Sequence, residues 1–112
     1  MVSVTIKKST NPKKKYTAIF YDESGKKIKT THFGASGYTD FIKSKDEERK
    51  KRYLNRHKGE NWNDYMSAGS LSKHILWNLP TLRGSISNYK NKFMDSTQQS
   101  LMVINRIEIY YN

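Results

Sequence analysis

Alternation of apolar and polar residues marks strands at both ends of the chain. Residues 2–7 (VSVTIK) alternate, as is typical of a half-buried strand. Residues 16–21 (YTAIFY) and 27–33 (KIKTTHF) are rich in β-forming residues and flank Asp-Glu-Ser-Gly, a four-residue turn signal, so they predict an antiparallel hairpin. Apolar residues of one parity predict another strand within 101–111 (LMVINRIEIYY).

Helical signals fill the middle of the chain. Ser44, with Glu47 three residues later, forms a capping box that predicts a helix over 45–58. Gly59 follows as its expected C-terminal glycine. Residues 34–37 (GASG), between the hairpin and this helix, are predicted to form a flexible loop.

Two shorter helices are predicted farther along. Ser67 or Ser70 can cap a helix over 71–78, and Thr81 can cap a helix over 82–93. The second has an apolar stripe at helical spacing. Its members are Leu82, Ile86, Tyr89 and Phe93.

The order of these elements predicts an α+β fold. Strands lie at both ends and helices in the middle, without the alternation that builds parallel sheets. We expect an antiparallel hairpin plus N- and C-terminal strands, packed with two to three short helices. A chain of 112 residues fits one domain, residues 1–112.

Composition limits the size of the core, the kinds of cross-link and the cellular location expected for this domain. The hydrophobic fraction is 35%, which predicts a thin core, and aromatic residues, at 12%, partly compensate. The chain contains no cysteine, so disulfides and thiolate metal sites are excluded. No apolar run is long enough to span a bilayer, and the N-terminus does not resemble a signal peptide. We therefore expect a soluble, intracellular protein without a membrane partner.

Charge is the feature that points to a function. The formal net charge is +11, and most of it lies in two blocks of the first half. Residues 1–33 carry eight lysines against two acidic residues, and residues 43–58 carry eight Lys or Arg against three. Two basic blocks that flank one loop are typical of a surface that contacts a polyanion.

Within the predicted 45–58 helix, two kinds of charge separate. Three acid-to-base pairs at i,i+4 favour a solvated, salt-bridged face; they are Asp46–Lys50, Glu47–Lys51 and Glu48–Arg52. A second stripe is mostly without acidic partners, and its arginines suit bidentate phosphate binding. It comprises Lys45, Arg49, Arg52 and Arg56.

The hairpin adds two groups of lysines to the candidate interface. Lys26, Lys27 and Lys29 lie at its tip and second strand, and Lys13, Lys14 and Lys15 lie where its first strand begins. We expect Lys15 to join Lys27 and Lys29 on one face if the register allows. The alternative role of these lysines is edge protection, because lysine on an edge strand blocks aggregation.

Aromatic residues near the basic blocks are mostly expected in the core. These are Tyr16, Tyr21, Phe33, Tyr38, Phe41, Tyr53, Trp62 and Tyr65. Trp62 and Tyr65, which lie in a polar loop, are the candidates for stacking on a base or wedging a groove.

The sequence contains little that indicates a catalytic, cofactor or metal site. His32, His57 and His74 fall on three different predicted elements, and no paired-carboxylate metal motif or phosphate-binding glycine loop is present. No zinc-finger spacing or RNA-recognition signature occurs either. We expect a non-enzymatic protein without a cofactor or small-molecule substrate. If its ligand is a nucleic acid, we expect it to contact the nucleic-acid backbone more than the bases.

Several motifs occur in order along residues 15–94. They are HFGASGYTDF (32–41), KDEERKKRYLNRH (45–57), ENW (60–62), SAGSLSKHILWNLPTL (67–82) and SISNYKNKF (85–93). In these motifs the chain resembles a small family of basic proteins of nucleocytoplasmic large DNA viruses, of the mimivirus and phycodnavirus kind. That family resembles in turn the archaeal monomeric chromosomal protein, which bends DNA. The resemblance implies DNA compaction in the virion interior or virus factory, and it assigns no individual DNA-contacting residue.

Together, these observations predict a monomeric, sequence-nonspecific protein that binds double-stranded DNA and compacts a viral genome. Two alternatives stay open. One is a virion structural protein whose basic face docks on acidic partners, and the other is an RNA-binding module.

Overall fold

A three-stranded antiparallel sheet forms one layer of the protein. The computed structural model describes residues 2–94. Strands β1 (Ser3–Lys8), β2 (Lys14–Tyr21) and β3 (Lys27–Ala35) lie in the order β1-β2-β3, so the longest apolar run occupies the central strand. The predicted N-terminal strand and hairpin are confirmed.

The hairpin turn forms where its sequence predicts it. Gly25 adopts a φ of 86°, a conformation that glycine tolerates without steric cost. The Asp22 carboxylate accepts hydrogen bonds from the backbone N–H groups of Ser24 and Lys26, each at 2.9 Å. The register pairs Phe20 with Lys29, which is exposed, and it shifts between Phe20 and Tyr21.

Helices cover one face of this sheet. They are α1 (Phe41–Ser44), α2 (Glu47–Arg56), α3 (Ala68–Leu71), a π-helix (Ser72–Leu76) and α4 (Leu82–Phe93). The described residues thus form an α+β fold, as predicted. The buried cluster between the layers comprises Val4, Ala18, Phe20 and Phe33 from the strands and Phe41, Leu71, Ile75, Leu76, Trp77, Tyr89 and Met94 from the helical part.

The predicted helix over 82–93 is confirmed at both ends. The predicted helix over 71–78 is confirmed only in part. Thr81 caps α4, accepting a hydrogen bond from Gly84 N–H at 3.1 Å. Ser67 caps α3, one of the two candidates. The helix predicted over 71–78 starts earlier, at Ala68, and residues Ser72–Leu76 form a π-helix whose C-cap, Trp77, donates its N–H to the Ser72 carbonyl.

The first long helix, α2, starts and ends inside its predicted bounds. Asp46 is the N-cap, and its carboxylate accepts from the N–H groups of Glu48 and Arg49, at 3.0 and 3.1 Å. The expected Ser44 capping box is therefore wrong, because Ser44 ends the unpredicted α1. His57 is the C-cap of α2.

Two residues beside α2 also depart from the prediction. Lys45, expected in the first turn, adopts the left-handed conformation with φ 52° and closes α1. Gly59 does not take the positive φ expected of a C-terminal glycine, since the chain already leaves the helix at His57.

Replacing Asp46 by alanine tests this helix start. Two backbone N–H groups would lose their acceptor, so we expect the free energy of unfolding to fall by about 1 kcal/mol. Urea unfolding of Asp46→Ala beside Glu47→Ala measures it, because Glu47 supplies no cap hydrogen bond. An equal loss in both variants would contradict the assignment of Asp46 as the cap.

The segment predicted as a flexible loop instead belongs partly to β3. The strand continues through Ala35, with Gly34 at φ 80°. A Cβ at Gly34 would lie 2.7 Å from Leu76 Cδ1, so glycine lets the strand approach the π-helix closely. The predicted strand within 101–111 lies outside the described residues.

The helices within residues 2–94 are all too short or too polar to cross a membrane.

Candidate nucleic-acid interface

A basic cleft of about 610 Å³ opens between α2 and the open end of the β2–β3 hairpin. One wall is the face of α2 that carries the three arginines Arg49, Arg52 and Arg56. The opposite wall is formed by Lys14 and Lys15, and Leu76 and Trp77 line the cleft between the two walls. The cleft therefore joins parts of both basic blocks that the sequence separates.

The three arginines of the cleft are free to bind an anion. They lie at i, i+3 and i+7, so the helix presents them on one face. Within residues 2–94 no carboxylate oxygen lies within 4.0 Å of their guanidinium groups or of the Lys14 ammonium. The cleft thus concentrates positive charge that the described part of the protein leaves uncompensated.

Both acidic residues of the cleft contact a basic side chain of the same cleft. Lys15 Nζ lies 2.6 Å from Asp40 Oδ2, and the two side chains are only 12% and 5% exposed. Asp40 also accepts from Lys43 N–H through its other oxygen, which caps α1. Glu60 Oε2 contacts His57 Nδ1. The cleft therefore holds five Lys or Arg side chains against two carboxylates, and one of these carboxylates is paired with Lys15.

A stack of three rings attaches α2 to the rest of the protein. Tyr53 lies between His57 and Trp77, with ring centroids 4.2 and 4.4 Å away. Burial raises the pKa of the Tyr53 hydroxyl. On the neighbouring side of the helix, Lys50 Nζ donates to the carbonyl of Asn78 at 2.7 Å and lies 4.7 Å from the Phe41 ring centroid. These contacts attach α2, and with it the arginine row, to the rest of the protein.

The three arginines of α2 share one face of the helix, as predicted. The three predicted i,i+4 ion pairs are wrong. None of the three i,i+4 pairs forms among the described residues, since Asp46 caps the helix and Lys50 turns toward Asn78. The one ion pair within α2 is Glu48–Lys51 at 3.7 Å, an i,i+3 pair. Lys45 is not on the arginine stripe, because it precedes the helix and its Nζ donates to Ile42 carbonyl at 2.7 Å.

The hairpin lysines separate into two groups. Lys14 pairs with Ala35 at one end of the hairpin, and Lys27 pairs with Tyr21 at the other. Lys15 is five positions from the level of Lys29, or about 17 Å along the strand. The expected joint face of Lys15, Lys27 and Lys29 is therefore wrong. Three exposed lysines, Lys26, Lys27 and Lys29, lie at the tip and outside the cleft, and Lys13 is exposed beside it.

The two rings proposed as candidates for a nucleic-acid contact, Trp62 and Tyr65, are both half-buried. The Tyr65 ring packs 6.1 Å from Phe20 and 5.5 Å from Phe93, between centroids. Lys73 Nζ lies 5.1 Å from the Trp62 ring centroid, and Trp62 Nε1 is buried without a hydrogen-bond partner in the described part of the chain. Neither ring lines the cleft; Tyr65 packs against the hydrophobic core, and Trp62 lies under Lys73.

The aromatic residue that sequence reasoning missed is Tyr38. It was grouped with core aromatics, yet it is 73% exposed at the rim of the cleft. The signal that could have found it is local: Tyr38 follows Gly37, which has a φ of 89°, and precedes the cap residue Asp40. A ring in such a turn has no strand or helix face to direct it inward.

The three histidines occupy separate environments, as their sequence positions suggest. His32 Nδ1 lies 2.8 Å from Thr17 Oγ1, on the sheet, and His57 contacts Glu60. His74 Nε2 lies 3.2 Å from the Trp62 carbonyl. No three His, Asp or Glu side chains gather as metal ligands among residues 2–94.

Comparison with known proteins gives a partial match. Residues 4–57 match a family described as a family of unknown function (DUF5754). The match runs from β1 through α2, so it includes both walls of the cleft and stops before the π-helix. No curated protein and no solved structure matches the chain.

Proposed function

We propose that the protein binds DNA independently of sequence, through phosphates seated on the basic cleft. The observation that carries this proposal is the row of three arginines, unpaired within the described residues, that faces Lys14 across the cleft. Arginine binds phosphate oxygens bidentately, and an anionic backbone would relieve the repulsion between neighbouring guanidinium groups.

The spacing of the arginines suits a nucleic-acid backbone. Arg49 and Arg56 are seven residues apart, which is about 10 Å along a helix axis. One DNA strand carries a phosphate about every 3.4 Å of axial rise, so this row spans about three nucleotides. Contacts of this kind position the nucleic acid and read no bases, which supports binding without sequence preference.

The biological role we propose is compaction of a viral genome. The resemblance to small basic proteins of large DNA viruses supports this role, and it favours the virion interior and the virus factory as the location. The protein would act as a monomer on double-stranded DNA, without a cofactor and without catalysis.

Salt dependence of binding tests the proposal directly. If about five to seven phosphates are neutralised, log K against log salt should have a slope near −5 to −6 on duplex DNA. Fluorescence anisotropy of labelled duplexes at several salt concentrations measures it. A slope flatter than about −2 would overturn the proposal and favour a structural protein that docks on acidic partners. Binding to RNA alone would favour the RNA-binding alternative.

Arginine variants show whether the cleft is the site. We expect Arg49→Ala and Arg56→Ala each to weaken binding to all sequences and to reduce the salt slope by about one. Lys51→Ala is the matched control, because Lys51 lies on the same helix, outside the cleft, and pairs with Glu48. An equal effect of all three substitutions would show that binding does not depend on the cleft.

A further inference from the structure

Tyr38 lies at the surface of the cleft and not in the core. Its side chain is 73% exposed, the highest value among the large hydrophobic residues found exposed within residues 2–94. Its backbone N–H donates to the Ala35 carbonyl at 3.4 Å, and the turn at Gly37 holds it at the rim of the arginine cleft. An exposed ring beside uncompensated guanidinium groups combines the two features that bind unpaired nucleotides, a stacking platform and a positive groove.

The size of the cleft favours the same ligand. Its volume of about 610 Å³ is within the range of small-molecule pockets, about 300–1,000 Å³. A cleft of that size can enclose a few nucleotides of one strand, whereas a double helix can only lay one of its backbones along it. A flexible single strand can place its phosphates on the arginine wall and still turn a base toward the rim.

The other aromatic rings of the cleft are not available for stacking. Both faces of Tyr53 are covered, by His57 and by Trp77, and Trp77 is buried. Tyr38 makes no ring contact with another aromatic side chain in the described part of the chain. Tyr38 is therefore the most exposed of the Phe, Tyr and Trp rings that line the cleft.

We propose that the cleft holds unpaired nucleotides, with phosphates on Arg49, Arg52 and Arg56 and a base stacked on Tyr38. This inference rests on the proposed function and specifies its ligand. It implies that the protein prefers single-stranded segments, gaps or frayed ends of DNA over intact duplex. An acidic peptide would use the same arginines but would gain nothing from an aromatic ring in place of an aliphatic one at position 38.

Three labelled probes test the preference with the full chain. They are an oligothymidylate of about 12 nucleotides, a duplex of the same length, and a longer duplex interrupted by an unpaired thymidine gap. We expect the oligothymidylate and the gapped duplex to bind more tightly than the intact duplex. Stacking on one ring should make Tyr38→Ala about tenfold weaker on the unpaired probes and leave the intact duplex unchanged.

Two conservative variants separate stacking from other effects of the substitution. Tyr38→Phe keeps the aromatic ring and should retain the affinity, whereas Tyr38→Leu keeps apolar bulk and should lose it. If all probes bind equally and Tyr38→Ala changes nothing while the salt slope stays steep, this inference is overturned and the proposed function stands. If no probe shows salt-dependent binding and an acidic peptide binds instead, both fall together.

Discussion

Replacing Lys15 by methionine should lower the free energy of unfolding by about 3–5 kcal/mol, because it leaves a buried carboxylate without its charge partner. Asp40 is only 5% exposed, and Lys15 Nζ is 2.6 Å from its Oδ2. The cap hydrogen bond from Lys43 N–H satisfies only the other oxygen. Since small domains are stable by about 5–15 kcal/mol, the loss would be a large share of the total.

Urea unfolding measures this loss, and two further variants define its cause. Lys14→Met removes a neighbouring lysine that has no ion pair among the described residues, and it should change stability by no more than about 0.5 kcal/mol. Lys15→Met combined with Asp40→Asn removes both charges and keeps a cap acceptor, so it should recover much of the loss. Equal costs for Lys15→Met and Lys14→Met would contradict a buried pair.

Acidification should destabilise the protein through His74, which is 4% exposed. Burial first, and then the nearby Lys73, lower the pKa of His74 to about 4, from an ordinary value of 6.5. Its Nε2 donates to the Trp62 carbonyl, which raises the pKa by less than burial lowers it. On its other sides His74 faces the positive charge of Lys92 and the rings of Tyr89 and Phe93.

The direction of the pH effect follows from the two states. The unfolded chain takes up a proton on His74 near pH 6.5, whereas the folded protein resists it until about pH 4. Stability contributed by neutral His74 is therefore complete above about pH 6.5 and is lost as the pH falls. The expected loss is about 2 kcal/mol at about pH 5, and about 3 kcal/mol once the pH passes the folded value.

Urea unfolding at about pH 7.5 and about pH 5 checks this expectation, because carboxylates are still mostly ionised at the lower pH. His74→Gln keeps an N–H donor for the Trp62 carbonyl and removes the titration, so its stability should change less between the two conditions. His57→Gln is the control, since the His57 side chain is partly exposed and contacts Glu60. The same pH dependence in the protein and in His74→Gln would exclude His74 as the cause.

Local patterns were sufficient to predict the sheet and the last helix. Alternation along β1 and the β-forming residues of β2 and β3 predict the three strands, and the turn residues Asp22 and Gly25 fix the hairpin between β2 and β3. Thr81 and the apolar stripe of α4 similarly act over one or two helical turns. These signals are written in neighbouring residues, so a single sequence contains them.

Features that depend on distant residues were not predictable in the same way. Asp40 is buried because Lys15, 25 positions earlier, reaches it across the hairpin. The π-helix forms where Leu76 packs under Gly34, more than 40 positions earlier. The sequence alone predicted the arginine row. That Lys14 and Lys15 form the other wall of the cleft depends on the tertiary structure and could not be predicted.

The attachment of α2 gives the cleft a mechanical property. No residue of α2 is buried, and the helix is held chiefly by the Tyr53 stack and by Lys50. Its three like charges repel one another, so detaching α2 should require less free energy than unfolding the sheet, and its amide protons should exchange early. A nucleic-acid strand between α2 and Lys14 would bind only the arrangement in which α2 is attached. Binding would therefore stabilise that arrangement. The free energy of ligand binding would then include the free-energy cost of keeping α2 attached.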